Sequence, residues 1–240
     1  MRPTEQIYSN YTEEDFLVWK TLFNRQMQML QSTVSEEYLQ ALAKVKFSAD
    51  RIPHFEEVDE LLKPLTGWSI QVVPNISPQK TFFELLTKKK FTATCWLRTL
   101  EQLDFLEEPD MFHDVFGHIP LLSNKAYCDF FHGIGEIAME HIDSPKAIEL
   151  LGRIYWFTVE FGLIWEKGDL KIYGAGIISS HGETEHSISN ETPKFDFDVA
   201  TIFHTDYRTD IMQDRYCVVD SFHQLYDSLP EIRNLLSKET

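Results

Sequence analysis

Apolar positions in the first quarter of the chain recur at helical spacing. Tyr11-Thr12-Glu13-Glu14 offers a Thr cap with acids in the first helical turn, and Phe16, Leu17, Trp19, Leu22, Phe23, Met27 and Leu30 then recur at that spacing. That pattern predicts a helix to about residue 32, and a second is predicted from Ser35 to about Phe47. Short helical pieces follow at Phe55–Leu62, closed by Pro64 and Gly67. Ser69–Val73 reads as a short strand, Ser77-Pro78-Gln79 opens a helix through Leu86, and Phe91–Leu97 alternates as a strand does. Further helices are predicted near Pro109–Phe116, from Lys125 to about His141, and from Pro145 to about Trp165. Leu170–Ser180 has the β-branched and glycine content of a strand pair, whereas Phe195–Tyr207 reads mostly as loop. Residues 1–10 are polar and expected to be flexible, leaving residues 11–240 as one domain, mainly α with a few short β-strands.

Composition narrows the functional classes. In 240 residues, 38 Asp+Glu outnumber 22 Lys+Arg for a net charge of −16, which argues against a general binder of nucleic acid or anionic membrane. The basic run Lys88-Lys89-Lys90 reads as a solvated helix end and implies no partner. With 43% hydrophobic and 13% aromatic residues the chain can bury a sizeable core. Cys95, Cys128 and Cys217 are odd in number, widely spaced and outside any CxxC pattern, so neither a disulfide framework nor a thiolate zinc site is indicated. Acids occupy the N-terminal stretch where a secretory signal would be apolar, and no run reaches about 18 apolar residues. A cytoplasmic protein is the expectation, and a small neutral or zwitterionic ligand remains open.

The chemistry concentrates in Glu108-Pro-Asp-Met-Phe-His113-Asp-Val-Phe-Gly-His118-Ile-Pro120. Five residues along a regular α-helix turn the two imidazoles about 140° apart, so they share a face only if a turn at Gly117 brings them together. Alone, such a pair is more often a surface or hydrogen-bonding feature than a ligand set. Glu160 adds weight, because its helical neighbours are Trp156, Phe157, Leu163 and Ile164. A carboxylate on an apolar face needs a cation or a metal, and Arg153 is the competing structural partner. Two histidines and a carboxylate on one ion form the facial arrangement of non-haem Fe(II) sites. Zinc on the same ligands would direct the site to hydrolysis. The surrounding Phe112, Phe116, Tyr155, Trp156, Phe157 and Phe161 suit oxygen activation in a water-poor pocket better than hydrolysis, although aromatic residues at helical spacing are most often plain core.

EPDMFHDVFGHIPLL at 108–122, IYWFTVEFGL at 154–163 and YGAGIISSHGE at 173–183 resemble the catalytic core of the pterin-dependent aromatic amino acid hydroxylases. The likeness continues in YTEEDFLVWKTLFNRQ, RIPHFEEVDELLKPLTGW and DRYCVVDSFHQL, covering nearly the whole chain. It implies a single aromatic amino acid hydroxylase catalytic domain that uses Fe(II), a tetrahydropterin such as tetrahydrobiopterin, and O₂ to hydroxylate L-phenylalanine to L-tyrosine. Tyrosine or tryptophan is the alternative substrate. By position, the resemblance implies His113, His118 and Glu160 as iron ligands, with Ser179 orienting the first histidine. Arg98 falls where the substrate carboxylate is bound, and Pro109, Trp156 and Phe161 where the substrate ring is lined. Tyr155 falls near the iron on the pterin side, Phe82 where a phenylalanine stacks on the pterin, and Asn75, Ile76 and Ser77 in the preceding pterin loop. That loop departs from the family, with Asn75-Ile76 where Gly-Leu is common, and Asn takes unusual backbone angles less freely than Gly. A monomer is expected.

Overall fold

The computed structural model describes residues 2–104 and 106–240. Helices dominate, with two small sheets between them, as expected of a mainly α chain with a few short strands. No helix among the described residues is long and apolar enough to cross a membrane.

Helix α1 spans Glu13–Thr33 and opens on a reciprocal cap between Thr12 and Asp15, with Glu13 and Glu14 favourably placed at the positive end of the helix dipole. It buries Val18, Trp19, Leu22, Phe23 and Leu30. Trp19 meets Phe112 edge-on at 5.6 Å and Phe23 meets Phe116 at 5.2 Å, so α1 forms the floor beneath the histidine segment. Helix α2 (Glu36–Lys44), capped by Ser35, adds Tyr38, whose hydroxyl donates to Phe116 O at 2.6 Å. Helix α3 (Phe55–Thr66) carries Pro64 inside its last turn rather than ending there. Gly67 supplies the left-handed φ of 82° that stops it, because the chain must turn directly into β1 (Ser69–Val72). The first residues are tied to this region: Gln6 bonds Pro53 O and Phe55 N, and the Tyr8 hydroxyl donates to Ile52 O.

Helix α4 (Gln79–Thr87) leads to β2 (Lys90–Ala93), which pairs in parallel with β1. The strand is shorter than the predicted Phe91–Leu97, because Thr94 turns to donate from its amide and hydroxyl to Asp114. Helix α5 (Lys125–Glu140) packs on α4 at Gly135, where a Cβ would lie 2.8 Å from Leu86 Cβ. Phe131 of α5 stacks at 5.8 Å on Tyr155, the last residue of helix α6 (Pro145–Tyr155).

Beyond α6 the predicted helix to Trp165 does not continue. A π-helical turn, Trp156–Glu160, ends it, and β3 (Gly162–Glu166) follows. A continuous apolar run does not distinguish buried helix from buried strand, and here pairing with β4 (Asp169–Ile172) and β6 (Tyr216–Val219) decides it. Only the first part of Leu170–Ser180 is strand. Gly174 then turns the chain into the short helix α7 (Ala175–Ile178), and α8 (His181–Ile188) follows under a Ser180 cap. The expected loop Phe195–Tyr207 contains most of β5 (Lys194–Asp196) and helix α9 (Val199–Phe203), capped by Asp198. The second sheet is ordered β4-β3-β6-β5, and helices α10 (Phe222–Asp227) and α11 (Leu229–Glu239) close the chain.

Candidate metal centre

His113 and His118 lie on a π-helical turn, Phe112–His118, in place of the predicted α-helix near Pro109–Phe116. A π-turn bonds residue i to i+5, so two residues five apart rise on the same face. This winding, rather than a break at Gly117, brings the imidazoles together, with ring centroids 5.1 Å apart and planes at 84°. Gly117 serves a different end: a Cβ there would lie 3.0 Å from Ala175 O, so its absence lets α7 lie against the turn. Glu160 ends the second π-turn, where Phe161 N donates to Trp156 O at 2.9 Å.

These turns converge. His118 Nε2 stands 3.1 Å from Glu160 Oε1 and His113 Nε2 3.6 Å from Oε2. One ligand atom from each of the three residues lies within 4.8 Å of the others, which marks them among the described residues as a group able to hold an ion. Glu160 is 9% exposed and His118 2%. Burial alone would push the Glu160 carboxyl up, but His118 and then His113, with the Tyr155 hydroxyl beside it, bring it down to about 2. Arg153, the competing partner, points elsewhere: it pairs with Glu149 and Asp206 and donates to Phe203 O.

The protons at His113 follow from its neighbour. Ser179 Oγ donates to Ala175 O at 2.9 Å and sits 2.8 Å from His113 Nδ1. A hydroxyl has one proton to give, so towards the ring it accepts, and Nδ1 carries the ring hydrogen. Nε2 then turns its lone pair towards an ionised carboxylate, an arrangement that requires a cation between them or a second proton on the ring. A first-row metal ion with bonds of about 2.0–2.2 Å holds adjacent donors about 3–3.5 Å apart, close to the 3.1 and 3.6 Å at which the two imidazoles stand from the carboxylate. Two imidazoles and one carboxylate with the other positions open suit non-haem Fe(II). The His118 ring is held by packing, 4.8 Å from Phe91 and 6.4 Å from Tyr155.

The other predicted site residues fall into three places. Tyr155 touches the cluster through Glu160, and Phe82 of α4 meets Tyr155 edge-on at 5.5 Å. Asn75 and Ile76 are exposed and Ser77 half-buried in the loop before α4. Asn75 is not among the residues with positive φ, so replacing Gly there strains no backbone. Trp156 and Phe161, which flank Glu160 in the chain, pack at 4.7 Å, and Gly176 makes room for Phe161, since a Cβ would lie 2.7 Å from its ring. Arg98 is half-buried and gripped by Asp110 through Nε and Nη2, both at 2.9 Å, next to half-buried Pro109.

Sequence reasoning missed Asp110. It is fully buried, accepts from Arg98 N as well as the guanidinium, and receives His113 N at 3.3 Å, so one carboxylate joins Arg98 to the histidine turn. An acid beside Pro109 was visible, but its partner twelve residues away was not. Asp114, also missed, ties the same turn to Thr94; burial raises its carboxyl and His113 then works against that rise.

Residues 3–239 match the family model for biopterin-dependent aromatic amino acid hydroxylases. The phenylalanine-4-hydroxylase of Ralstonia nicotianae is 42% identical over 93% of this chain and 72% of its own length, and that of Chromobacterium violaceum 41% identical over 93% and 75%. A crystal structure of Chromobacterium violaceum phenylalanine hydroxylase with bound iron(III) and oxidised cofactor 7,8-dihydrobiopterin superposes with a TM-score of 0.91 at 39% identity, covering 99% of this chain and 86% of that one. Two imidazoles on one π-turn facing a carboxylate on another, in a chain that the family model matches over residues 3–239, place it in a defined group: it belongs to the biopterin-dependent aromatic amino acid hydroxylases.

Proposed function

We propose that this chain hydroxylates L-phenylalanine to L-tyrosine with Fe(II), a tetrahydropterin and O₂, acting as a monomer in the cytoplasm. The convergence of His113, His118 and Glu160 in an aromatic setting carries the proposal, supported by relatives named for that reaction. His113, His118 and Glu160 would hold the iron. Bound there, iron and pterin supply the electrons that activate O₂ towards an aromatic ring.

The remaining work belongs to the chain. Ser179 keeps the His113 Nδ1 proton away from the ligand face. Asp110 occupies two guanidinium nitrogens of Arg98 and fixes its plane, leaving Nη1 to meet a substrate carboxylate. Pro109, Trp156 and Phe161 form the apolar wall for the substrate ring, and Phe82 offers a face for the pterin, steadied by Tyr155. Asn75, Ile76 and Ser77 would meet the pterin edge through their backbone. Phe91, Phe131 and Tyr155 around His118 exclude water from the ligand side.

The deciding experiment loads the protein with Fe(II) without oxygen, adds tetrahydropterin and phenylalanine, tyrosine or tryptophan separately, and starts the reaction with O₂. Tyrosine formed from phenylalanine, dependent on both iron and pterin, is the expected result. Preferential turnover of tyrosine or tryptophan would reassign the substrate, and hydrolytic activity with zinc and no need for pterin would defeat the proposal.

A further inference from the structure

Trp156 is held from two sides by one stretch of chain, residues 204–215, for which the sequence suggested no role. The Tyr207 ring stacks on the indole at 4.6 Å with planes 21° apart. The indole Nε1–H donates to Gln213 Oε1 at 2.8 Å. Gln213 is only 5% exposed, and its other polar groups are engaged as well. Its Nε2 donates to Arg208 O at 2.8 Å and Ile211 O at 3.3 Å, its N–H to Glu183 Oε1 at 3.0 Å, and its carbonyl accepts from His186 Nε2 at 2.9 Å. Two carbonyl acceptors on one side force the amide nitrogen there and the oxygen towards Trp156, so the amide cannot flip without losing three bonds.

Behind Gln213 stands a buried acid that makes no ion pair among the described residues. Glu183, 7% exposed, takes the Gln213 amide on one oxygen and the fully buried Tyr216 hydroxyl on the other. Its helix α8 begins directly after Ser179, under the cap that Ser180 provides to Glu183 N. Ser179, which orients His113, and Glu183, which holds Gln213, therefore sit four positions apart in the chain.

We infer that Gln213, seated by Glu183, is a positioning residue that fixes the Trp156 indole as a wall of the substrate slot and so sets affinity for the aromatic amino acid. The inference rests on the proposed place of Trp156 in that slot. An indole whose N–H loses a buried acceptor must turn to find another, and the wall moves with it. The pterin side, reached through Phe82 and Tyr155, does not depend on this contact.

The test is a cycle in the full-length, Fe(II)-loaded protein with tetrahydropterin. Gln213→Met removes the acceptor at equal length, and Trp156→Phe removes the donor. Gln213→Met is expected to raise KM for phenylalanine about three- to tenfold, with KM for pterin changed by less than about twofold. In the Trp156→Phe background Gln213→Met is expected to add less than about twofold. The indole N–H resonance of Trp156 should move in Gln213→Met. Should Gln213→Met fail to fold by circular dichroism, Glu183→Gln replaces it, with a smaller rise confined to KM for phenylalanine. An unchanged KM for phenylalanine, an equal rise in both KM values, or full additivity with Trp156→Phe would overturn the inference alone. Absence of hydroxylation by the unaltered chain would overturn the proposed function, and the slot with it.

Discussion

Ser179 Oγ lies 2.8 Å from His113 Nδ1 while donating its own proton to Ala175 O, so the serine accepts and the far nitrogen of the ring is left free to bind. An outer hydrogen bond of this kind selects the tautomer and the ring orientation together.

Ser179→Ala should therefore keep the fold and lower Fe(II) affinity by about 10–100-fold. Titration against a competing chelator measures it. Affinity equal to that of the unaltered chain would mean that packing alone orients His113.

Metal at the three side chains ties parts of the chain far apart in sequence. At free Fe(II) about 100 times its dissociation constant, binding stabilises by about 2.7 kcal/mol, which in a domain of this size is a rise in Tm of about 5–10 °C. Glu160→Ala should abolish that rise while its circular dichroism stays helical. A metal-dependent shift that survives Glu160→Ala would move the ion elsewhere.

Backbone closeness at the site makes specific glycines irreplaceable. A Cβ at Gly174 would lie 2.5 Å from Glu160 O and from Gly162 N, both backbone atoms with nowhere to go. Gly174→Ala is expected to destabilise by about 1–3 kcal/mol in urea unfolding. Gly182, where a Cβ meets only Met212 Sδ at 3.5 Å, lies within α8, and Gly182→Ala should stabilise by up to about 1 kcal/mol. Equal effects would refute the steric argument.

Buried and exposed ion pairs should separate clearly. Asp110→Ala leaves the Arg98 guanidinium uncompensated at 10% exposure and should cost about 3–5 kcal/mol. Glu149→Ala breaks a pair whose acid is 51% exposed and whose Arg153 keeps Asp206, and should cost less than about 1 kcal/mol. Denaturant midpoints with unchanged m-values make the comparison.

Glu183 gives a pH signature of definite sign. Burial raises its carboxyl above the ordinary 4.5, despite hydrogen bonds from Tyr216 and Gln213 that pull the other way. The folded state thus holds the proton more tightly than the unfolded state, so this group's contribution falls as pH rises from 4.5 through its folded-state value, and the penalty is complete above that. Compared with Glu183→Gln, the unaltered chain should lose stability across that window. Parallel stability–pH curves for the two proteins would refute it.

The centre was partly legible in the chain. Glu160 drew notice because an acid among Trp156, Phe157, Leu163 and Ile164 demands a counter-charge, a deduction that uses only neighbours on one segment. The strand Gly162–Glu166 was not legible, since Leu163-Ile164-Trp165 fits a buried helix equally well until β4 and β6 flank it. Nor was Gln213, an amide in a polar stretch that becomes a holder of Trp156 only by a contact spanning 57 positions.

What the sequence determined by itself was local or motif-borne: the cap at Thr12, the helical spacing of α1, the mainly helical class, and the identities of the three donors. Their chemistry is written in residue type and spacing. Tertiary structure alone decided that His113 and His118 share a face, because a regular helix would hold them about 140° apart and the π-winding forms where Tyr38, Asp110 and α7 engage its backbone or pack against it. It also decided the opposite charges that Arg98 and Asp110 supply to each other, and the choice of Arg153 to leave Glu160. Such outcomes depend on which groups arrive together from distant segments when water is excluded, and no pattern within one segment contains that information.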